Sequence, residues 1–234
     1  MTPYYQDDLV TLYHGDCREI LPIPPALALV TDPPYGLGRR MHESRADKQH
    51  GAALAPSKNY GEVAWDDIPC DSRLLRRFVW GAEESVIWGG NFFSLPPSRC
   101  WLVWNKDNGS NDYADCELAW TSLNAPIRCL RHRWMGMLQE WPERRVHPTQ
   151  KPLPVMEWAL QFIRLELCVF DPFTGSGTTL VAAKNLGRRA IGIEIEERWC
   201  EVAARRLAQE TLFTATAVML DTHEQLTMLE EVPP

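Results

Sequence analysis

Four consecutive residues, Asp32-Pro33-Pro34-Tyr35, bring together a carboxylate, a backbone carbonyl and an aromatic ring. Each proline fixes φ and removes a donor, so the turn is stiff and the Pro33 carbonyl has no helix to join. Two acceptors beside a stacking ring could hold an exocyclic amine. Both N–H groups would be accepted, the ring would lie on Tyr35, and the nitrogen lone pair would face an electrophile. The same four residues would also make an ordinary proline turn, so a second feature must decide between the two.

That feature is the stretch from Val169 through Asp171-Pro172-Phe173-Thr174-Gly175-Ser176-Gly177-Thr178-Thr179, which reads as a strand, a glycine-rich turn and a helix start. Glycines let a backbone approach a ligand, and a helix N-terminus offers free N–H groups. The third glycine of the dinucleotide fingerprint is missing, as is the Gly-Lys-Ser/Thr of a triphosphate site. Seventeen residues beyond Gly177, a second strand ends in Glu194, where an acid could accept hydrogen bonds from both ribose hydroxyls. Asp171 would repel a pyrophosphate but suits a ligand carrying an ammonium and a sulfonium. The charge pattern therefore favours S-adenosylmethionine over a nicotinamide dinucleotide. The bland alternative is a tight strand–helix turn with a solvated Glu194.

The elements that must position these residues follow from short apolar runs bounded by turn residues. Strands are expected near 9–13, 26–30, 85–88, 101–104, 117–120, 168–170 and 189–193. Continuous apolar runs suit strands buried on both faces, as in a parallel sheet. Helices are expected over 72–80 with Ser72 as N-cap, 154–165, 178–186 ending at Gly187, and 197–209. Alternating strands and helices imply an open α/β sheet, with 101–104 and 117–120 as an antiparallel hairpin at one edge. The expected organisation is one domain over 1–210 with irregular inserts at 36–66 and 121–150, then a tail over 211–234.

Asp32-Pro33-Pro34-Tyr35 followed by Asp171 to Thr179 closely resembles the amino-group DNA methyltransferases, which methylate adenine N6 or cytosine N4. The tetrapeptide lies 139 residues before the glycine loop, an order similar to the permuted β class. His147-Pro148-Thr149-Gln150-Lys151-Pro152 resembles a family segment that precedes the cofactor strand, and Gly15-Asp16-Cys17 a position near the cofactor's adenine. The resemblance implies a Rossmann-like, S-adenosylmethionine-dependent fold, with a seven-stranded, mostly parallel sheet and one antiparallel edge strand. It implies a base flipped out of duplex DNA, its amine held by Asp32 and Pro33 in the turn that Pro34 stiffens, its ring on Tyr35. Asp16, Cys17, Asp171, Phe173, Gly175, Ser176 and Gly177 then become cofactor contacts, and Glu194 the ribose clamp. Thr178 and Thr179 would face the methionine carboxylate. Thr149 and Lys151 belong to the same group, with Lys151 either pairing with that carboxylate or solvated.

In that family Asp at the first tetrapeptide position accompanies adenine more often, and Ser accompanies cytosine N4. Asp32 therefore points to N6-adenine. An N4-cytosine enzyme, an RNA adenine methyltransferase and an inactive DNA-binding relative are the other readings. Relatives that act on ribosomal RNA or a release factor place the tetrapeptide after the glycine loop, the reverse of the order here. The resemblance also implies a double-stranded DNA partner, a homodimer, and a companion restriction enzyme, in the cytoplasm of a bacterium or a phage-infected cell. Gln209-Glu210-Thr211-Leu212-Phe213 resembles a sliding-clamp docking pentapeptide, although Leu212 and Phe213 would equally pack a helix end on the body.

Composition bounds these readings. The 234 residues contain no apolar run long enough to span a membrane and no basic leader at the N-terminus. Seven scattered cysteines without a CxxC pair argue against a zinc site or a disulfide framework and for a reducing compartment. No metal is expected. The net charge of −7 argues against a general nucleic-acid binder, yet it is unevenly spread. Residues 39–58 carry +3 and 124–151 carry +4, which leaves −14 for the remainder. Arg39, Arg40, Lys58, Arg128, Arg131, Arg133, Arg144 and Arg145 in those segments are the candidate DNA contacts.

Overall fold

The computed structural model describes residues 2–19, 26–36, 68–108, 114–135, 138–139, 146–147 and 149–209. Arg39, Arg40, Lys58, Arg144 and Arg145, most of the insert at 36–66, the clamp-like residues from Glu210 onward and the tail lie outside them.

Among the described residues the chain builds a nine-stranded sheet: β1 (Tyr5–Gln6), β2 (Val10–His14), β3 (Leu27–Thr31), β4 (Glu84–Trp88), β5 (Trp101–Asn105), β6 (Cys116–Thr121), β7 (Arg128–Arg131), β10 (Cys168–Asp171) and β11 (Ala190–Glu194). The spatial order is β1-β2-β11-β10-β3-β4-β6-β5-β7. A separate ladder joins β8 (Trp134–Met135) to β9 (Leu138–Gln139). The strands from β2 to β4 in that order are mutually parallel, each with its partner in register. β3 is buried at all five positions, as its unbroken apolar run requires.

Among the described residues four helices cover the sheet: α1 (Ser72–Gly81), α2 (Leu153–Leu160), α3 (Thr178–Asn185) and α4 over 197–209. The period-2 alternation of the strands splits the core in two. Ala28, Val30, Val86 and Leu102 pack with Val155, Leu180 and Ala203 on one face. Leu27, Leu29 and Ile87 pack with Leu75 and Phe78 of α1 on the other.

The sheet departs from expectation in three places. It has nine strands rather than seven. Two strands are reversed rather than one: β1 at an edge, antiparallel to β2, and β6 within the sheet, antiparallel to β4 and β5. The other edge is β7, parallel to β5, within a segment read as irregular. Its Arg-Cys-Leu-Arg sequence has no apolar alternation because three of its four residues are exposed.

Two helix ends also differ. Asp71, not Ser72, caps α1, accepting the Arg73 N–H at 2.8 Å, while the Ser72 hydroxyl accepts from the Ser94 N–H at 3.1 Å. The helix expected to reach 165 stops at Leu160. Buried Arg188 draws off the carbonyls of Leu160 and Arg164, both at 2.7 Å. The N–H groups of Gln161, Phe162 and Ile163 bond three residues back instead of four, and the Arg164 N–H, which a continued helix would give to Leu160, is accepted by Glu84 at 2.9 Å. Among the described residues no helix is long and apolar enough to cross a membrane.

Candidate active site

The parallel neighbours β2, β11, β10 and β3 bring their carboxyl ends to one edge, the usual place for a ligand in an open α/β sheet. There β2 leads into Gly15-Asp16, β3 into Asp32, β10 ends on Asp171 and β11 on Glu194. A cavity of about 370 Å³ lies against this edge, with Asp16, Asp32, Lys151, Asp171 and Glu194 in its walls. The two motifs, 139 residues apart in sequence, therefore face the same space.

One half of the cavity is lined by buried carboxylates. Asp171 accepts the Thr31 hydroxyl at 2.7 Å and the Phe173 N–H at 3.1 Å, and Thr179 also donates to it. Burial, the larger influence, still pushes Asp171 up from 3.8 to about 6. Glu194 accepts the Gly175 N–H at 2.7 Å on one oxygen and the Glu196 N–H at 2.8 Å on the other. Burial raises it to about 7, with a contribution from nearby Glu196 and Asp171. The described partners of both carboxylates are hydroxyl and amide donors, not cations. Each Glu194 oxygen keeps a lone pair that a vicinal diol could use.

The glycine loop is held from behind. Gly177, at φ 84, starts α3, and a Cβ there would meet the Ala203 Cβ of α4 at 2.8 Å. Arg206 of α4 donates to the Ser176 carbonyl at 2.8 Å and to the Thr178 hydroxyl at 2.9 Å. Across the loop, the buried His147 ring meets Trp199 edge-on at 4.2 Å. Gln150 accepts the Val146 N–H at 2.8 Å, and the Thr149 hydroxyl lies 3.2 Å from the His147 Nδ1. The segment around His147 is thus a folded turn that walls the cavity.

The other half is built around Asp32. Tyr35 donates its hydroxyl to Asp32 Oδ1, and its ring stacks on Phe92 with centroids 5.0 Å apart. Gly89 makes room for that ring: any Cβ there would lie 2.1 Å from Tyr35 Cε1. Pro33 is buried, and the Pro34 carbonyl is taken by the Cys70 N–H at 2.9 Å. Lys151 is neither solvated nor free. Its side chain is 7% exposed, and its ammonium contacts Asp32 Oδ2 at 2.7 Å, the Tyr35 hydroxyl at 3.1 Å and Glu117 Oε2 at 3.0 Å. Two hydrogen bonds and an ion pair occupy its ammonium, in place of the expected ligand carboxylate or solvent. Glu117 in turn meets Lys106 at 2.6 Å.

Burial raises Asp32, and Glu117 adds to this, while Lys151 and Tyr35 pull the other way. Burial opposes ionisation of Glu117 too, but Lys151 and Lys106 hold it down to about 2.

Other expected contacts fall less centrally. Asp16 lines the cavity with its carboxylate engaged by Arg18. Cys17 is buried, and burial pushes its thiol up to about 12, so it supplies no thiolate at neutral pH. Arg128 is exposed on β7. Arg131 and Arg133 both bind Asp107, at 2.9 and 2.5 Å. Three site residues had no signal in the sequence: Glu117, Lys106 and Arg206. A charge at the start or just past the end of a strand, or on an amphipathic helix, looks solvated until the topology is known.

A parallel α/β sheet with a glycine loop and acidic strand ends on one cavity defines a Rossmann-like methyltransferase class. Residues 77–205 match the DNA methylase model of the N6/N4 methyltransferases, over half of the chain, and the chain belongs to that family. It is 26% identical over 261 residues to the type II methyltransferase M.ScaI of Streptomyces caespitosus, covering 89% of this chain and 84% of that protein. It is 44% identical over 159 residues to M2.DpnII of Streptococcus pneumoniae, covering 65% of this chain and 52% of that protein. The chain thus spans about half the length of that second relative. The fold is shared with M1.HpyAVI in complex with SAM (TM-score 0.53, 24% identity, 85% of this chain and 99% of that one). It is shared as well with the cytosine-N4-specific PvuII DNA methyltransferase (TM-score 0.56, 15% identity, 91% and 94%).

Proposed function

We propose that this chain transfers a methyl group from S-adenosylmethionine to the N6 amine of an adenine flipped out of duplex DNA. The observation that carries the reading is one cavity bounded by Asp32 and Pro34 of the tetrapeptide on one side and by Asp171 and Glu194 on the other. The donor set fits the cofactor. Buried carboxylates without a described cationic partner suit a ligand carrying an ammonium and a sulfonium, and the two oxygens of Glu194 suit the ribose hydroxyls. When bound, the cofactor supplies an electrophilic methyl, whose carbon–sulfur electron pair leaves with the sulfur as the nitrogen–carbon bond forms.

The chain's own residues do the rest. Asp32 and the Pro33 carbonyl hold the amine with its lone pair toward the cofactor side. Tyr35, fixed by Phe92 and by its bond to Asp32, supports the base. Thr178 and Thr179 sit at the start of α3 for the methionine carboxylate, with Asp16 and Cys17 near the adenine end. Arg128, Arg131 and Arg133, with the arginines and Lys58 outside the described residues, contact phosphates. Asp rather than Ser at position 32 supports adenine.

The test is to incubate the protein with methyl-labelled cofactor and, in parallel, mixed-sequence duplex DNA or RNA, then digest each to nucleosides. Label in N6-methyl-2′-deoxyadenosine from the DNA is expected. Label confined to N4-methylcytosine overturns the choice of base, and label in RNA alone overturns the choice of substrate.

A further inference from the structure

A line of alternating charges, Lys106–Glu117–Lys151–Asp32, runs from the end of β5 to the tetrapeptide, with successive contacts of 2.6, 3.0 and 2.7 Å. Its inner members are withdrawn from water: Lys151 is 7% exposed, Asp32 20% and Glu117 26%. Ion pairs this sheltered are costly to assemble and are seldom neutral contributors when one member is removed. The sheet explains how they meet. β6 runs against its neighbours, so its first residues lie where the parallel strands end, and Glu117 stands opposite Trp104 of β5. The Lys151 ammonium also lies 5.4 Å from the Tyr35 ring centroid and 5.8 Å from that of Trp88 on β4. Within this aromatic enclosure Lys151 is shared between two carboxylates.

We propose that Glu117 is a positioning residue for methyl transfer, dividing the Lys151 ammonium between two carboxylates so that Asp32 stays able to take the proton the amine releases. The inference rests on the amino-methyltransferase reading. As the amine nitrogen forms its bond to carbon it must shed one proton. Asp32 takes that proton and becomes neutral. The positive charge that arrived on the cofactor is then left on the Lys106–Glu117–Lys151–Asp32 group until Asp32 loses the proton to water. A Lys151 paired with Asp32 alone would hold the carboxylate in its charged form and oppose that transfer. The groups facing Asp32 are Lys151, Tyr35 of its own turn, Asp171 at the end of β10, and, one step removed, Glu117 and Lys106.

Alternating charges give alternating signs, and a purely structural role would not. Single-turnover methylation is followed against pH with saturating cofactor and DNA, so that titration of the cofactor carboxylates does not enter. Glu117→Gln should move the acid limb of the rate profile down by about one pH unit and slow the plateau at least threefold. Lys151→Gln should move the limb up, and Lys106→Gln should move it up by less. Melting curves and cofactor binding identify any variant that does not fold. Lys106→Gln, at a side chain 21% exposed, then carries the test alone. Slower variants whose limbs coincide with that of the parent overturn the inference. A parent protein that transfers no label overturns the reading beneath it instead.

Discussion

Burial pushes Asp171 to about 6 and Glu194 to about 7 while their described hydrogen-bond partners are neutral, so the site holds two acids above their ordinary 3.8 and 4.5. The sign follows from linkage. A carboxyl that ionises later in the folded protein than in the unfolded chain lends stability below about pH 4, and that share is lost as pH rises through 6 and 7. A cationic ligand reverses the balance by favouring the ionised forms. Cofactor affinity should therefore rise between pH 5.5 and 7.5 and then level, with protons released on binding near pH 6.5. Calorimetry in buffers of different ionisation enthalpy reads both. Glu194→Gln should weaken binding and remove most of the proton release near pH 7, and a flat affinity in the parent protein would sink the assignment. Asp32 acts at a different step. Asp32→Asn keeps the shape of the side chain but loses the negative acceptor, so methyl transfer should fall at least 100-fold. Cofactor affinity, read by the quenching of tryptophan fluorescence, should stay within about threefold. A parallel loss of cofactor binding would place Asp32 with the cofactor instead of the amine.

The glycine loop shows how one backbone conformation links two elements. Gly177 has φ 84 and lies against Ala203 of α4, so Gly177→Ala faces both an unfavourable backbone and a 2.8 Å approach. The substitution should cost about 1–3 kcal/mol in chemical denaturation. Adding Ala203→Gly should recover the steric part but not the backbone part. If the double variant is no more stable than the single one, the helix contact is not what constrains the loop. This loop was legible in the sequence because its chemistry is local: a strand, two glycines and a helix start occur in one run of residues. The same holds for Asp32-Pro33-Pro34-Tyr35 and for the strands bearing them, which are buried on both faces and so continuously apolar. What the sequence hid depends on contacts between distant elements. The reversal of β6 carries Glu117 to the site, and nothing in Cys116–Thr121 marks its direction. The early end of α2 is marked by Glu84, 80 residues before Arg164, which takes the Arg164 N–H. The Lys151 side chain, read as solvated or ligand-facing, finds its partners on β6 and after β3, neither of which its own neighbourhood reveals.

Across the whole molecule, charge sets how an acidic protein could meet an acidic polymer. The chain carries −7 in total, and the segment 124–151 contributes +4 by formal count. The structure reduces what that segment can present. Lys151 is consumed inside, and Arg131 and Arg133 share the carboxylate of Asp107. Surface pairs of this kind are weak, since solvent screens them and two long side chains must be ordered. A phosphate can therefore compete for both guanidiniums, with Asp107 opposing it by like-charge repulsion. Asp107→Asn isolates that opposition. Position 107 has φ 48, a left-handed conformation that Asn adopts as readily as Asp, so the turn should survive. The Arg133 Nε bond to the backbone carbonyl of residue 107, at 3.2 Å, does not involve the carboxylate and should also persist. Released from their acid, the two arginines should tighten duplex binding at least threefold at 0.1 M salt. Each additional phosphate contact should steepen the slope of log affinity against log salt by about 0.9. Fluorescence anisotropy with a labelled duplex over a salt series measures both quantities. Arg131→Gln combined with Arg133→Gln should lower affinity and flatten the same slope. Equal slopes in all three proteins would remove this edge of the sheet from the DNA interface and leave recognition to the segment containing Arg39, Arg40 and Lys58.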